Sequence, residues 1–171
     1  MTKPFSFNYF GSKIQANSLG AGFLPPLKQT LTAHCIPFTP DGNIVAINII
    51  GRGIDIPGGH IEDGESAIDA MTRETQEEAS VTIAHPELVD VWHLTSTNAK
   101  LGLTERPYIV MYVADVISMD NFQPNSEATE RLILSPDDFM TQYFAGEEQA
   151  ALLIDRALEM RETKSRSSEN S

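Results

Sequence analysis

Seven carboxylates fall between Glu62 and Glu78: Glu62, Asp63, Glu65, Asp69, Glu74, Glu77 and Glu78, with Arg73 as the one cation among them. On a helix turning ~100° per residue, Ile68, Met71, Thr75 and Ala79 share an arc of roughly 80° and form a core-facing stripe. Glu74, Glu77 and Glu78 share an adjacent arc of about 100°. Like charges at i, i+4 cost about 0.2–0.5 kcal/mol per pair. The C-terminal half of a helix also disfavours negative charge. Helix stability therefore gives no reason to gather three glutamates there. A hard divalent cation does, because Mg²⁺ takes carboxylate and water oxygens. The plain alternative is a solvated acidic face. Pro57-Gly58-Gly59, just ahead of the helix, weighs against it, since a glycine turn brings backbone carbonyls or N–H groups close to a metal or phosphate.

The charge of the whole chain points the same way. Lys and Arg number 12 and Asp and Glu 24, a formal net charge of −12. Such a chain repels phosphate backbones and anionic lipid surfaces, so stable nucleic-acid or membrane binding is not expected. To handle phosphates it needs a bridging cation. A length of 171 residues suits one domain. A single cysteine, Cys35, excludes an intramolecular disulfide framework and reads as a small core residue. No segment reads as a signal peptide or approaches the ~18 apolar residues of a membrane span. A reducing cytoplasm is the expected location.

The elements that must position the acids follow from periodicity. Thr30 to Thr39 and Asn43 to Ile50 read as strands joined by a Pro40-Asp41-Gly42 turn. Ile54 to Ile56 is a short strand, and Glu65 or Ser66 to Ala79 is the acidic helix. Glu87 to Thr97 is a further strand, and Arg106 to Val116, rich in β-branched and aromatic residues, is the strongest. A polar loop spans roughly 118–129, and Arg131 to Leu134 is a short strand. Ser135-Pro136 opens a short helix, and Glu147 to about Arg161 is an amphipathic one. Residues 1–27 form an arm, an edge strand or a partner contact, with Phe5, Phe7, Tyr9 and Phe10 among polar neighbours. Residues 28–162 carry the domain. Residues 163–171 lack apolar anchors and read as a flexible C-terminal tail. Strands interleaved with few helices predict an α/β or α+β fold.

The acidic helix and its approach resemble the Nudix box, G-x5-E-x7-R-E-U-x-E-E-x-G-U, over Gly59-x5-Glu65-x7-Arg73-Glu74-Thr75-Gln76-Glu77-Glu78-Ala79-Ser80-Val81. Two positions depart from it. Thr75 stands where an apolar residue is usual and needs a carbonyl for its hydroxyl. Ser80 replaces the second glycine, the residue best suited to a left-handed helix cap. The string RGIDIPGGHIEDGES is also similar to MutT-like hydrolases within the family. The resemblance implies a mixed sheet sandwiched between helices. It also implies hydrolysis of a pyrophosphate bond in a nucleoside triphosphate, or in a nucleoside diphosphate linked to another moiety, with Mg²⁺ or Mn²⁺. Carried over by position, Glu74, Glu77 and Glu78 are the metal ligands, with a backbone carbonyl from Gly58. Arg73 and Glu65 resemble the pair that orients the glutamate face. Arg73 also lies beside Glu77 on the wheel, where a structural ion pair is compatible with that role.

A proton acceptor for water must come from the helix, with Glu74 first in line, or from a mobile loop. The loop before Arg131 offers Glu127, the preferred candidate, and Glu130. For substrate, Arg52 and Gly59 are the candidate phosphate contacts, with a surface role open for Arg52. Trp92, Tyr108 and Tyr112 are available for base stacking, though strand aromatics are more often core. Lys100 and Arg106 flank a loop that borders a substrate site. His34 and His60 read as polar surface residues. A non-catalytic nucleotide sensor is the rival reading, and a homodimer through the aromatic N-terminal segment is an open alternative.

Overall fold

The structure, a computed structural model, describes residues 3–169. Its strands are β1 (Phe5–Tyr9), β2 (Ser12–Ser18), β3 (Thr30–Phe38), β4 (Ile44–Ile49), β5 (Gly53–Asp55), β6 (Gly58–His60), β7 (Val81–Thr95), β8 (Tyr108–Met119) and β9 (Ala128–Leu134). Its helices are α1 (Ala67–Ala79), α2 (Pro136–Gln142) and α3 (Glu147–Glu169). The segment richest in β-branched and aromatic residues, β8, runs in the middle of one mixed sheet of order β1-β2-β7-β8-β3-β4-β5. Strand β6 pairs with β3, and β9 with β4. The β3–β8 pair is parallel; the other pairs are antiparallel.

Period-two alternation sends neighbouring side chains to opposite faces. Val91, Val110 and Tyr112 pack with Ala70 and Met71 of α1. Trp92, Met111 and Val113 pack with Leu153, Ile154 and Ala157 of α3. The sheet is therefore sandwiched between α1 and the α2–α3 pair, the expected architecture.

Four local expectations are corrected. Ile68 is 42% exposed and leaves the core stripe to Met71, Thr75 and Ala79, joined by Ala70. The wheel fixes direction around the helix axis but not where along it the sheet ends. Gly58 and Gly59 belong to a three-residue strand, Thr32 facing His60 and His34 facing Gly58, and not to a turn. Strand β9 begins at Ala128, because the ladder extends to Ile49↔Ala128 and the Thr129 hydroxyl donates to the Asn48 carbonyl. Finally, α3 runs on to Glu169. Once Ala150 to Ala157 are docked, the nucleation cost is met and solvated residues extend the helix without apolar anchors.

Residues 5–18 form a hairpin on the sheet edge, β2 pairing with the C-terminal part of β7. Phe5 meets Trp92 edge-on, and Phe7 meets Phe144 edge-on. The end of β2 is tied by Asp90, which is fully buried. It accepts hydrogen bonds from Ser18 Oγ, the Gly20 N–H and the Trp92 indole N–H, and pairs with Arg156 of α3 at 2.6 Å.

Candidate active site

The helix α1 that carries the acids is defined at both ends. Ser66 caps its start, its Oγ accepting the Asp69 N–H while the Asp69 carboxylate accepts the Ser66 N–H. At its end Ser80 adopts the left-handed conformation (φ 55°, ψ 46°) that glycine would take freely. The Arg131 guanidinium donates from Nη1 to the carbonyls of Ala79 (2.9 Å), Ser80 (3.3 Å) and Asp120 (2.9 Å). A cation thus meets the negative end of the helix and its orphan carbonyls. Thr75, fully buried, donates to the Met71 carbonyl at 2.7 Å, which supplies the partner that its apolar position requires.

Arg73 organises the acidic face. Its Nε and Nη2 donate to the two oxygens of Glu65 at 2.7 and 3.0 Å. Its Nη1 donates to Glu74 at 2.9 Å and Glu77 at 3.2 Å, and Nη2 reaches the His60 carbonyl. The structural ion pair with Glu77 is present, together with two more. The Arg73 bonds hold the Glu65 carboxyl down at about 2, with the Glu62 N–H assisting.

Glu78 is in a different setting. It is 4% exposed and accepts the Gly58 N–H at 2.9 Å. Burial pushes its carboxyl up to about 8; the negative charges of Glu74 and Asp55 add to this, while the Gly58 N–H and Arg52 oppose it. Burial also raises Glu74, against the pull of Arg73 and with the charges of Glu77 and Glu127 adding. Glu77 is largely exposed. The glycines make this packing possible. A Cβ at Gly59 would stand 2.3 Å from Glu74 Oε1, and one at Gly58 would stand 2.4 Å from the His34 ring.

A cavity of about 600 Å³ opens beside these groups. Gly58, Gly59, Glu78 and Glu127 line it, as do the apolar Trp92 and Met111. Glu130 does not; it sits in β9 opposite Asn48. Glu127 is held in place. Its carbonyl accepts the Ile50 N–H, and the Asn125 side-chain oxygen accepts the N–H groups of Glu127 and Ala128. The Asn125 amide donates in turn to the Glu77 carbonyl at 3.1 Å. The loop expected to be free is thus fastened to the end of α1. Asn125 escaped the sequence reading, although Asn-Ser ahead of a strand is an Asx-turn signal.

The other candidates divide. Arg52 lines the cavity with its Nε 3.0 Å from Asp55 Oδ2, off the hydrogen-bonding direction, and its guanidinium lies about 5.4 Å from the Tyr9 ring and 5.3 Å from the Phe144 ring. Buried Asp55 is pushed up to about 6 by desolvation, against Arg52 and the Ile56 N–H. His34 is half-buried in the cavity wall, not on the surface, and burial, aided by Arg52 and His60, lowers it to about 3. Exposed His60 also lines the cavity, as does Lys100. Arg106 does not; it brackets the Thr30 and Ile61 carbonyls. Trp92 is core at the cavity wall, Tyr112 is core on the α1 face, and half-buried Tyr108 meets Phe23 and His93. Cys35 is fully buried.

The donors present suit a hard divalent cation. Glu74, Glu78 and Asp55 crowd negative charge into a buried space, and the nearby Arg52 is committed to Asp55. As they stand, Glu74 and Glu77 are drawn to Arg73. Among the described residues no three His, Cys, Asp or Glu side chains converge closely enough to hold a metal ion.

The sequence pattern of the NUDIX domain matches residues 28–157. No curated protein sequence matches this chain. Among solved structures the fold is similar to a mutant form of the Bacillus subtilis pyrophosphohydrolase BsRppH, with a TM-score of 0.68 at 15% identity, covering 95% of this chain and 98% of that one. A NUDIX hydrolase from Nitrosomonas europaea has a TM-score of 0.58 at 20% identity, over 80% of this chain and 91% of that one. An ADP-ribose pyrophosphatase from Streptococcus suis has 0.55 at 22% identity, over 78% and 92%. At these identities the likeness is one of fold.

Proposed function

The chain belongs to the Nudix family of hydrolases, and on that premise we propose that it hydrolyses a pyrophosphate bond in a nucleoside triphosphate, or in a nucleoside diphosphate linked to another moiety, using Mg²⁺ or Mn²⁺. The observation that carries the reading is the burial of Glu78 beside Gly58 and Glu74, at one end of a cavity that Glu127 also lines. In this reading Glu74, Glu77 and Glu78 hold the cation, with the Gly58 carbonyl as a further ligand. When bound, the ion screens phosphate charge and lowers the pKa of its water.

The chain's own groups do the rest. Arg73, anchored by Glu65, sets the rotamers of Glu74 and Glu77. Glu127 takes the proton of the attacking water, being a carboxylate on the cavity wall outside the ligand set. Arg52 and the Gly59 backbone face the substrate phosphates. Nothing in the described fold rests on a disulfide, and no described helix is long and apolar enough to cross a membrane. A reducing cytoplasm is the proposed setting.

The test is a panel of nucleoside triphosphates, dinucleoside polyphosphates and nucleoside diphosphate conjugates with Mg²⁺ or Mn²⁺, the products identified by mass. Turnover that falls by orders of magnitude in Glu78→Gln is the expected result. Nucleotide binding without turnover in the wild type would establish the rival sensor reading instead.

A further inference from the structure

The tip of the N-terminal hairpin departs from the usual economy of such turns. Phe10 adopts φ 44° and Gly11 φ 77°. Two successive residues at positive φ suit Asn-Gly or Gly-Gly, and phenylalanine is a costly choice at the first position. Packing does not repay that cost, because Phe10 remains 63% exposed. Its ring lies against Gly51 and meets the Tyr9 ring edge-on at 4.8 Å. Tyr9 is itself fixed over the Arg52 guanidinium, which Phe144 also approaches. A strained backbone that presents an aromatic face outward, on a braced support, is the arrangement found where a residue is kept for function.

Its position says which function. Phe10 lines the cavity that Gly58, Glu78 and Glu127 line. Ile50, 55% exposed, lines it too, from the turn after β4. Two large apolar side chains from separate elements therefore stand open to water on a largely apolar cavity that has the carboxylates at one place in its wall. About 600 Å³ is within the range of small-ligand sites, roughly 300–1,000 Å³. The acidic end cannot attract a polyanion without help, in a chain of net charge −12.

Resting on the pyrophosphohydrolase reading, we propose that Phe10, with Ile50 beside it, is the stacking platform for the aromatic base of the substrate. The substrate is then a base-bearing nucleotide and not a polyphosphorylated sugar or inorganic polyphosphate. Every base has a π-face, so the platform supplies affinity without choosing among bases. Because it touches the base and not the reacting phosphate, it contributes equally to ground state and transition state.

Two variants test this. Asparagine tolerates the left-handed region, so Phe10→Asn relieves the backbone while removing the ring. Its Tm is expected to equal or exceed that of the wild type, while KM for a nucleotide rises about 5- to 150-fold and the effect spares kcat. Phe10→Trp is expected to restore the wild-type KM. A KM unchanged in Phe10→Asn overturns the proposal. So does a rise that comes with a lower Tm and is not restored by Phe10→Trp, which marks Phe10 as structural.

Phe10→Trp also gives a readout independent of turnover, since the native Trp92 is only 1% exposed. The introduced indole is expected to be quenched by adenosine and guanosine monophosphates and not by ribose 5-phosphate. Quenching without turnover supports the platform and removes the hydrolase reading. Turnover without quenching, or equal KM for a nucleotide and for inorganic tripolyphosphate, overturns the platform and leaves the hydrolase reading standing.

Discussion

At the scale of single residues, Glu78 of α1 and Glu65, just ahead of the Ser66 cap, show two carboxyls of one acidic segment taking opposite characters. Glu65 has a guanidinium partner and stays ionised. Glu78 has a backbone N–H and neighbouring carboxylates, and its proton is held to about 8. In the folded metal-free protein Glu78 binds a proton that the unfolded chain releases near 4.5. Its ionisation therefore costs nothing below pH 4.5, costs progressively more up to pH 8, and is fully unfavourable above that. Metal-free Glu78→Gln is expected to melt above the wild type at pH 8, by an amount on the order of a few kcal/mol at most. The gap should close towards pH 5. Calorimetry across that range checks it, and a gap independent of pH would contradict the assigned cause. The proton acceptor separates from its neighbour in the same way. Glu127→Gln is expected to lower kcat at least tenfold with metal affinity little changed, and Glu130→Gln to leave kcat within about twofold. The reverse order in steady-state assays would move the role to β9, and wild-type rates in both would return it to the helix. That Arg73 joins Glu65 and Glu77 was legible in the sequence because their spacing is long and fixed. That Glu130 faces away was not, since its strand begins with Ala-Thr-Glu, a polar stretch whose pairing depends on β4.

At the scale of elements, the end of α1 is the informative place. Ser80 sits at φ 55° without the advantage of glycine, and Arg131 of β9 supplies the carbonyl partners from outside the helix. Replacing Ser80 by glycine is expected to stabilise the protein by about 1 kcal/mol, because only the left-handed strain is removed. Arg131→Met should cost about 1–3 kcal/mol, the range for buried acceptors left without partners. Chemical denaturation of the two variants checks both signs. The sequence announced the missing glycine but not its substitute, because Arg131 lies 51 residues from Ser80 and is brought close by the β4–β9 ladder. The N-terminal segment posed the same difficulty. Its aromatic content left arm, edge strand and partner contact equally open, and only pairing with β7 shows which surface Phe5 and Phe7 cover.

At the scale of the whole molecule, the proposed reading makes the folded form, with its acidic excess and buried Glu78, a binding partner for divalent ions. Mg²⁺ or Mn²⁺ should raise Tm, with a shift that grows with concentration because the ion binds the folded form preferentially. Glu78→Gln should blunt that shift. A melting temperature indifferent to millimolar metal, with nucleotide present, would count against the cation site.

The hairpin bears on how this protein behaves in a crowded solution. Strand β2 pairs along Trp92 to Thr95, and the adjoining Leu19 N–H reaches the Val91 carbonyl. That covers the apolar end of β7, where Val89, Val91, Trp92 and Leu94 are buried. Left bare, such an edge would template strand addition from other copies and seed aggregation. Beyond this stretch of β7 the outer edge is β1, five residues long and alternately polar. The hairpin therefore also shields this stretch of β7 from strand addition by neighbouring copies.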